Sequence, residues 1–370
     1  MKRLCRRLVQ VLFSGILVIG LVRASEADPK EATSPLGWQS VPANDERFHL
    51  EGRLDRSDMS GPVMIWEGSE MAVDFSGARL GLKWGEGTGQ NFFNISVDGE
   101  TEVVGVPAGT ETRWLWPRPL PAGRHHLVVF KRTEALAGHV RFKGLEIEAG
   151  QEAWKPNLPP RRWRMELYGD SIAAGACSED GASDQWEDRR THNFAVSFAN
   201  LIAREFNADL RCEAISGIGV VTGWIDVTAP QIWNRVYPTR DSALIDDHWQ
   251  PDVIFVHLGD NDADFPQSRH EPFPQDFTPA YLRLVRTIRA ANPKAQLVLL
   301  MGGMTCGATS QPLLDAWKTA LSELEAGDDA ISHFSFAHWT SNHPRTSEHR
   351  VLADELIAWL KRQPFMGRTK

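Results

Sequence analysis

The segment Trp154-Lys155-Pro156-Asn157-Leu158-Pro159-Pro160 constrains this chain more than any other, because proline removes amide donors and fixes φ. Neither a helix interior nor a central strand can pass through it. On its N-terminal side the apolar pattern has period two. Met71, Val73 and Phe75 alternate, as do Leu80, Leu82 and Trp84, then Phe93, Ile95 and Val97; Leu127 to Phe130, Val140 with Phe142, and Leu145 with Ile147 follow. Such alternation, broken by glycine-bearing turns, predicts an all-β sandwich of jelly-roll type, with Asp98-Gly99 as a hairpin turn. Beyond the prolines, helical stripes alternate with short buried runs. Phe194, Phe198, Leu201, Ile202 and Phe206 share one helical face, Thr278-Pro279 opens a second helix that Asn292-Pro293 closes, and Leu313, Leu314, Trp317, Leu321 and Leu324 mark a third. Val253 to Leu258 and Gln296 to Met301 read as buried parallel strands, so this half is predicted to be a doubly wound α/β domain. The expected layout is a sandwich over 37–150, a linker over 151–162 and a catalytic domain over 163–364.

Residues 1–27 are expected to be a secretory signal peptide. Lys2, Arg3, Arg6 and Arg7 precede the apolar run Leu8 to Val22, and small residues at Ala24, Ser25 and Ala27 offer cleavage sites. The run is shorter than the roughly 20 residues a membrane span needs. Cleavage after Ala27 would remove Lys2, Arg3, Arg6, Arg7 and Arg23 with Glu26, which moves the formal charge from −8 to −12. A chain that acidic suits neither nucleic acid nor an anionic membrane surface, so a neutral substrate outside the cytoplasm, secreted or periplasmic, is the expectation. The mature chain then holds Cys177, Cys212 and Cys306, of which one pair could bridge in an oxidising compartment. Their pairing is left open, as is the oligomeric state, and no metal-ligand spacing links them.

Candidate chemistry lies at four places in order: Tyr168-Gly169-Asp170-Ser171-Ile172, Ser216-Gly217-Ile218-Gly219, Leu258-Gly259-Asp260-Asn261-Asp262 and His343-Pro344. Each follows a predicted strand or precedes a helix, and in an open α/β sheet active sites lie where those loops converge. Acyl transfer needs a nucleophile, a base to deprotonate it, and donors aimed at the oxyanion. No Gly-x-Ser-x-Gly elbow is present, which argues against an ordinary α/β-hydrolase.

These blocks resemble the SGNH, or GDSL-like, hydrolase superfamily. The resemblance implies that Ser171 is the nucleophile, that the Ser171 and Gly217 amides with the Asn261 side chain form the oxyanion hole, and that His343 is general base and acid. With the sandwich, the loop Lys131-Arg132-Thr133-Glu134-Ala135 and the proline linker, the layout from Gly52 to Leu360 is similar to carbohydrate esterase family 2. That implies a two-domain, secreted acetyl esterase needing no metal or other cofactor and acting on acetylated polysaccharide or oligosaccharide of the xylan or glucomannan type. Two departures stand out. Ser341 and Thr340 occupy the positions where an aspartate commonly precedes the histidine, so a Ser171–His343 dyad with a backbone carbonyl at the second imidazole nitrogen is expected. Asp260 replaces a common threonine and is expected to point away from the oxyanion.

Among neighbouring residues, Asp170 and Asp262 read as turn-holding carboxylates, His257 as a core histidine, and His349 as the alternative base with His338 also nearby. Of the 14 tryptophans, Trp339 is the candidate substrate-binding indole, because it is close to His343 in sequence. The sandwich is expected either to bind polysaccharide or to cover one edge of the site. Other readings are an esterase for different acylated glycans or small acyl esters, and a carbohydrate-binding protein whose catalysis has decayed.

Overall fold

The computed structural model describes residues 37–367, so the leader expected over 1–27 lies outside the described residues. Twelve strands between Trp38 and Trp154 form two six-stranded antiparallel sheets. Alternate residues of each strand face inward, so Met71, Val73, Phe75, Phe93, Ile95, Val97, Leu127 and Val129 of one sheet pack on Leu80, Leu82, Trp84, Val140 and Phe142 of the other. The hairpin Asn91–Val97 to Glu100–Val106 turns at Asp98 and Gly99, with φ of 53° and 90°. Positive φ at both positions matches the right-handed twist of the strands. The segment read as a linker begins with the short strand Ala153–Trp154, which pairs at the sheet edge with Phe75 and Asp74. Its prolines start only at 156, so this edge pairing loses no donor.

From Trp163 onward the chain builds a five-stranded parallel sheet. Its spatial order is Ala208–Ala214, Trp163–Gly169, Val253–His257, Gln296–Met301 and Ile331–Ser335. Both faces are covered, and the strands show it residue by residue. Ile254, Val256, Leu297 and Leu299 pack beneath the helices Phe277–Ala291 and Gln311–Glu325, through Tyr281, Val285 and Trp317. Val253, Phe255, Val298 and Leu300 pack beneath Phe198–Glu205 and Thr346–Leu360, through Phe198, Ile202, Leu352 and Leu356. Continuous apolar runs are what a strand buried on both faces requires. The first strand in sequence sits between the second and third, so the winding direction reverses beside it. That reversal opens a crevice at the carboxyl ends of the strands.

The sandwich and the parallel sheet share one core. Val63, Ile65, Trp66 and Ala135 of the sandwich are buried with Tyr168, Ile215 and Ile218, and Trp66 Nε1 donates to Val236 O at 2.8 Å. Arg53, 3% exposed, projects from the sandwich between two buried carboxylates, Glu166 at 2.9 Å and Glu213 at 2.9 Å, and also donates to Trp233 O at 2.9 Å. Burial disfavours the cation, but the two carboxylates hold the guanidinium pKa above its ordinary value. Removing one member of such a group strands the others without compensation. Arg53→Met is therefore expected to lower the unfolding free energy by about 3–5 kcal/mol, read from the denaturant midpoint. The triple change Arg53→Met, Glu166→Gln, Glu213→Gln should recover most of that loss; a midpoint for Arg53→Met equal to wild type would refute the assignment.

Candidate active site

The four motifs converge. Ser171, Gly217, Asn261 and His343 all line one cleft of about 680 Å³ at the carboxyl ends of the parallel strands. Ser171 starts the short helix Ser171–Ala174, directly after the strand Trp163–Gly169. A β-carbon at Gly169 would stand 2.7 Å from Ala173 Cβ, so only glycine lets the helix fold back this tightly on the strand. Asp170 caps that helix, its Oδ1 accepting from Ile172 N at 3.0 Å. Burial pushes its carboxyl up to about 7 despite this bond.

Gly217 has φ of +80°, and a β-carbon there would lie 2.9 Å from Trp224 Cβ. Its loop is pinned by Asp262, whose two oxygens accept from Val220 N, Val221 N and Thr222 N at 2.8, 2.7 and 3.1 Å. Asp262 thus has the turn-holding role expected of it. Asn261 lies in the first turn of the helix Asp260–Ser268, and its Nδ2 donates to Ile218 O at 2.9 Å and lies 3.4 Å from Asp170 Oδ2. These contacts fix the side-chain amide beside the Gly217 loop.

Asp260 does not turn away from the cleft but borders it. Its Oδ1 accepts from Gly307 N at 2.6 Å. Burial, with Asp170 close by, raises its pKa well above the carboxylate range, so the protonated form is favoured there and Asp260 turns little negative charge toward the cleft.

His343 is held differently from what the expected dyad implies. His343 Nδ1 lies 2.6 Å from Asp184 Oδ2, and the His343 amide also points at that oxygen, at 3.3 Å. Burial would raise the Asp184 carboxyl, yet hydrogen bonds from His343 and Arg345 hold it well below the usual range. An ionised carboxylate can only accept, so Nδ1 carries a proton and Nε2 presents its lone pair. The acceptor is therefore a carboxylate 159 residues away in sequence, not a local backbone carbonyl. Asp184 belongs to the loop between Ser171–Ala174 and Phe194–Val196, and Arg345 ties that loop down, with Nη1 2.8 Å from Asp184 Oδ1 and Nε donating to Gly181 O at 2.9 Å.

The other histidines are occupied. His349 is fully buried, its Nδ1 accepting from Phe198 N at 3.3 Å, and His257 Nε2 donates to Gly302 O at 2.8 Å. His338 does not border the cleft. Trp339 is 45% exposed and lies outside the cleft walls, because the chain bends over residues 341–343 and leads it away. Two indoles that sequence proximity did not single out stand there instead. Trp186 stacks on His343 with centroids 5.7 Å apart, and Trp224, 54% exposed, is fixed by its Nε1 bond to Asp264 at 3.1 Å and its edge contact with Phe265. Trp224 had a readable signal, since it follows Gly217 by seven residues; Asp184 and Trp186 had none. Cys177, Cys212 and Cys306 are all free, so no pair among them is bridged.

Comparison with known proteins gives the same picture. Residues 167–355 match the GDSL-like lipase/acylhydrolase family, and residues 50–156 match the description "Carbohydrate esterase 2 N-terminal". The chain belongs to the GDSL-like lipase/acylhydrolase family, a class of ester hydrolases. Within it, the pairing of that domain with this sandwich is the arrangement of carbohydrate esterase family 2. Cellulase/esterase CelE of Acetivibrio thermocellus is 30% identical over 84% of this chain, which spans 39% of CelE's length. An acetylxylan esterase/glucomannan deacetylase of Cellvibrio japonicus is 24% identical over 94% of this chain and 97% of its own. A family two carbohydrate esterase from Clostridium thermocellum, solved in complex with cellohexaose, superposes with a TM-score of 0.74 at 26% identity, covering 85% of this chain and 98% of that one.

Replacing Asp184 by asparagine should leave the fold intact but lose the acceptor-only carboxylate that sets the His343 tautomer. The expected loss in kcat for ester hydrolysis is roughly 10²- to 10⁴-fold with little change in KM. A kcat within threefold of wild type would show that Ser171 and His343 suffice as a pair.

Proposed function

We propose that this protein is a secreted carbohydrate O-acetyl esterase that removes acetyl groups from polysaccharide of the xylan or glucomannan type. The observation that carries this reading is the convergence of Ser171, His343, Gly217 and Asn261 on one cleft, with Asp184 behind the histidine. Ser171 Oγ attacks the acetyl carbonyl while His343 Nε2 takes its proton, and Asp184 stabilises the imidazolium that forms. The Ser171 and Gly217 amides and Asn261 Nδ2 stabilise the oxyanion. His343 then returns its proton to the sugar oxygen as it leaves. Water, deprotonated by His343, attacks the acetyl-serine and releases acetate. The substrate side rests on the relatives named as acetylxylan esterase/glucomannan deacetylase and on Trp186 and Trp224, whose indoles flank the cleft. Flat aromatic faces suit the apolar face of a pyranose ring.

Acetate release from acetylated xylan, acetylated glucomannan and 4-nitrophenyl acetate tests this directly. Ser171→Ala is expected to lose at least about 10⁴-fold in kcat, and a chelator should leave the wild-type rate unchanged. Tight polysaccharide binding with no acetate released from any substrate would replace the esterase reading with a binding one. Export is part of the proposal, since a polymeric substrate lies outside the cell; N-terminal sequencing of exported protein should begin directly after Ala24 or Ala27, and an intact Met1 would overturn it.

A further inference from the structure

We propose that Glu134, a residue of the β-sandwich, is a positioning residue for the esterase reaction; this rests on the reading above. Glu134 is 1% exposed and lies in the connection between the strands Arg124–Lys131 and Gly138–Glu148. Its Oε2 accepts from Ser216 N at 2.6 Å, the peptide immediately before the Gly217 oxyanion donor. Its Oε1 lies 3.7 Å from Arg189 Nη1. The Arg189 guanidinium sits 4.0 Å above the Trp186 ring, and Trp186 is stacked on the His343 imidazole. One carboxylate therefore touches the oxyanion loop directly and the wall behind the base through two intervening side chains. The buried Lys131 ammonium holds the loop in place, donating to Thr133 O at 2.6 Å and Glu134 O at 3.3 Å.

The same module also grips the loop that carries the acid. Gln90 Nε2 donates to Glu187 O at 3.1 Å, and Arg132 donates to Arg190 O at 3.0 Å and pairs with Glu179. Glu134 is the point at which this grip reaches both halves of the catalytic apparatus. It touches no reacting atom, so its removal should act through the placement of Gly217 and His343, both of which matter most in the transition state.

The test compares wild type, Ser171→Ala, Glu134→Ala, Glu134→Gln and Arg189→Met in full-length protein on 4-nitrophenyl acetate, with thermal melts in parallel. Glu134→Ala is expected to lose about 10²-fold in kcat, the scale of an ångström's misplacement, with KM within about twofold of wild type. Glu134→Gln should return kcat to within about tenfold of wild type, because its amide oxygen still accepts from Ser216 N–H but without the charge. Arg189→Met should lower kcat by about tenfold, and combined with Glu134→Ala should add less than its separate effect. The inference is overturned if Glu134→Ala keeps wild-type kcat, or if Glu134→Gln is impaired as deeply as Glu134→Ala. Should Glu134→Ala fail to fold, wild-type kcat in both Glu134→Gln and Arg189→Met would overturn it instead. Absence of hydrolysis by the wild type marks failure of the esterase reading; an active wild type with unaffected variants marks failure of this inference alone.

Discussion

A buried cation from one module, held by acidic side chains and backbone carbonyls of the other, sets the geometry of this protein. Arg53 of the sandwich lies between Glu166 and Glu213, which stand on adjacent parallel strands of the catalytic sheet. Charges taken out of water are tolerated only when partners and hydrogen bonds replace the lost hydration. The sandwich therefore cannot slide or rotate against the sheet without stranding a charge in the shared core. Domains that meet over small polar surfaces are free to move relative to one another, whereas this junction combines continuous apolar packing with a directional ionic contact.

Given that fixed junction, the site follows from sheet topology. Ser171 leaves the strand Trp163–Gly169 and Asn261 the strand Val253–His257, the two neighbours that flank the change in winding direction. Gly217 arrives from the strand on the other side, Ala208–Ala214, so the proposed nucleophile and oxyanion donors come from three adjacent strand ends. Rigid strands on a doubly covered sheet hold those groups more closely than free loops would. Burial raises both Asp170 and Asp260 above the ordinary carboxylate value, which lessens the negative charge they turn toward the cleft.

Much of this was legible in the sequence, for local reasons. Period-two and helical patterning report which face of an element is buried, and the Gly-Asp-Ser and Gly-Asp-Asn turns need their residues at fixed spacing. Asp98-Gly99 declares its turn because only a few residue types accept positive φ twice in succession. The short strand Ala153–Trp154 was hidden by the prolines that follow it, since edge pairing by two residues leaves no periodic trace. Trp339 misled because nearness in sequence to His343 does not survive the bend at 341–343. Asp184 was unreadable for a stronger reason: its function depends only on where a folded loop delivers it.

The distant origin of Asp184 changes what the sandwich is for. A histidine base requires an acceptor at Nδ1, and chemistry is indifferent to where in the chain the acceptor originates. An aspartate two or three residues before the histidine would be held by the same short segment as the base and would need no outside support. Here Ser341 and Thr340 stand in those places, and the carboxylate comes instead from the long connection between Ser171–Ala174 and Phe194–Val196. The 2.6 Å contact is kept by bonds inside the loop, such as Glu179 N to Thr191 O at 3.0 Å and Gln185 N to Asp180 Oδ2 at 2.6 Å, together with restraint from outside it. Arg345, Asn342 and Thr346 supply part of that restraint, and Gln90 and Arg132 of the sandwich supply more. Under the proposed mechanism, an acid held away from the histidine shares the task of orienting the base with the neighbouring module, and the β-sandwich then belongs to the catalytic apparatus rather than being an appendage to it.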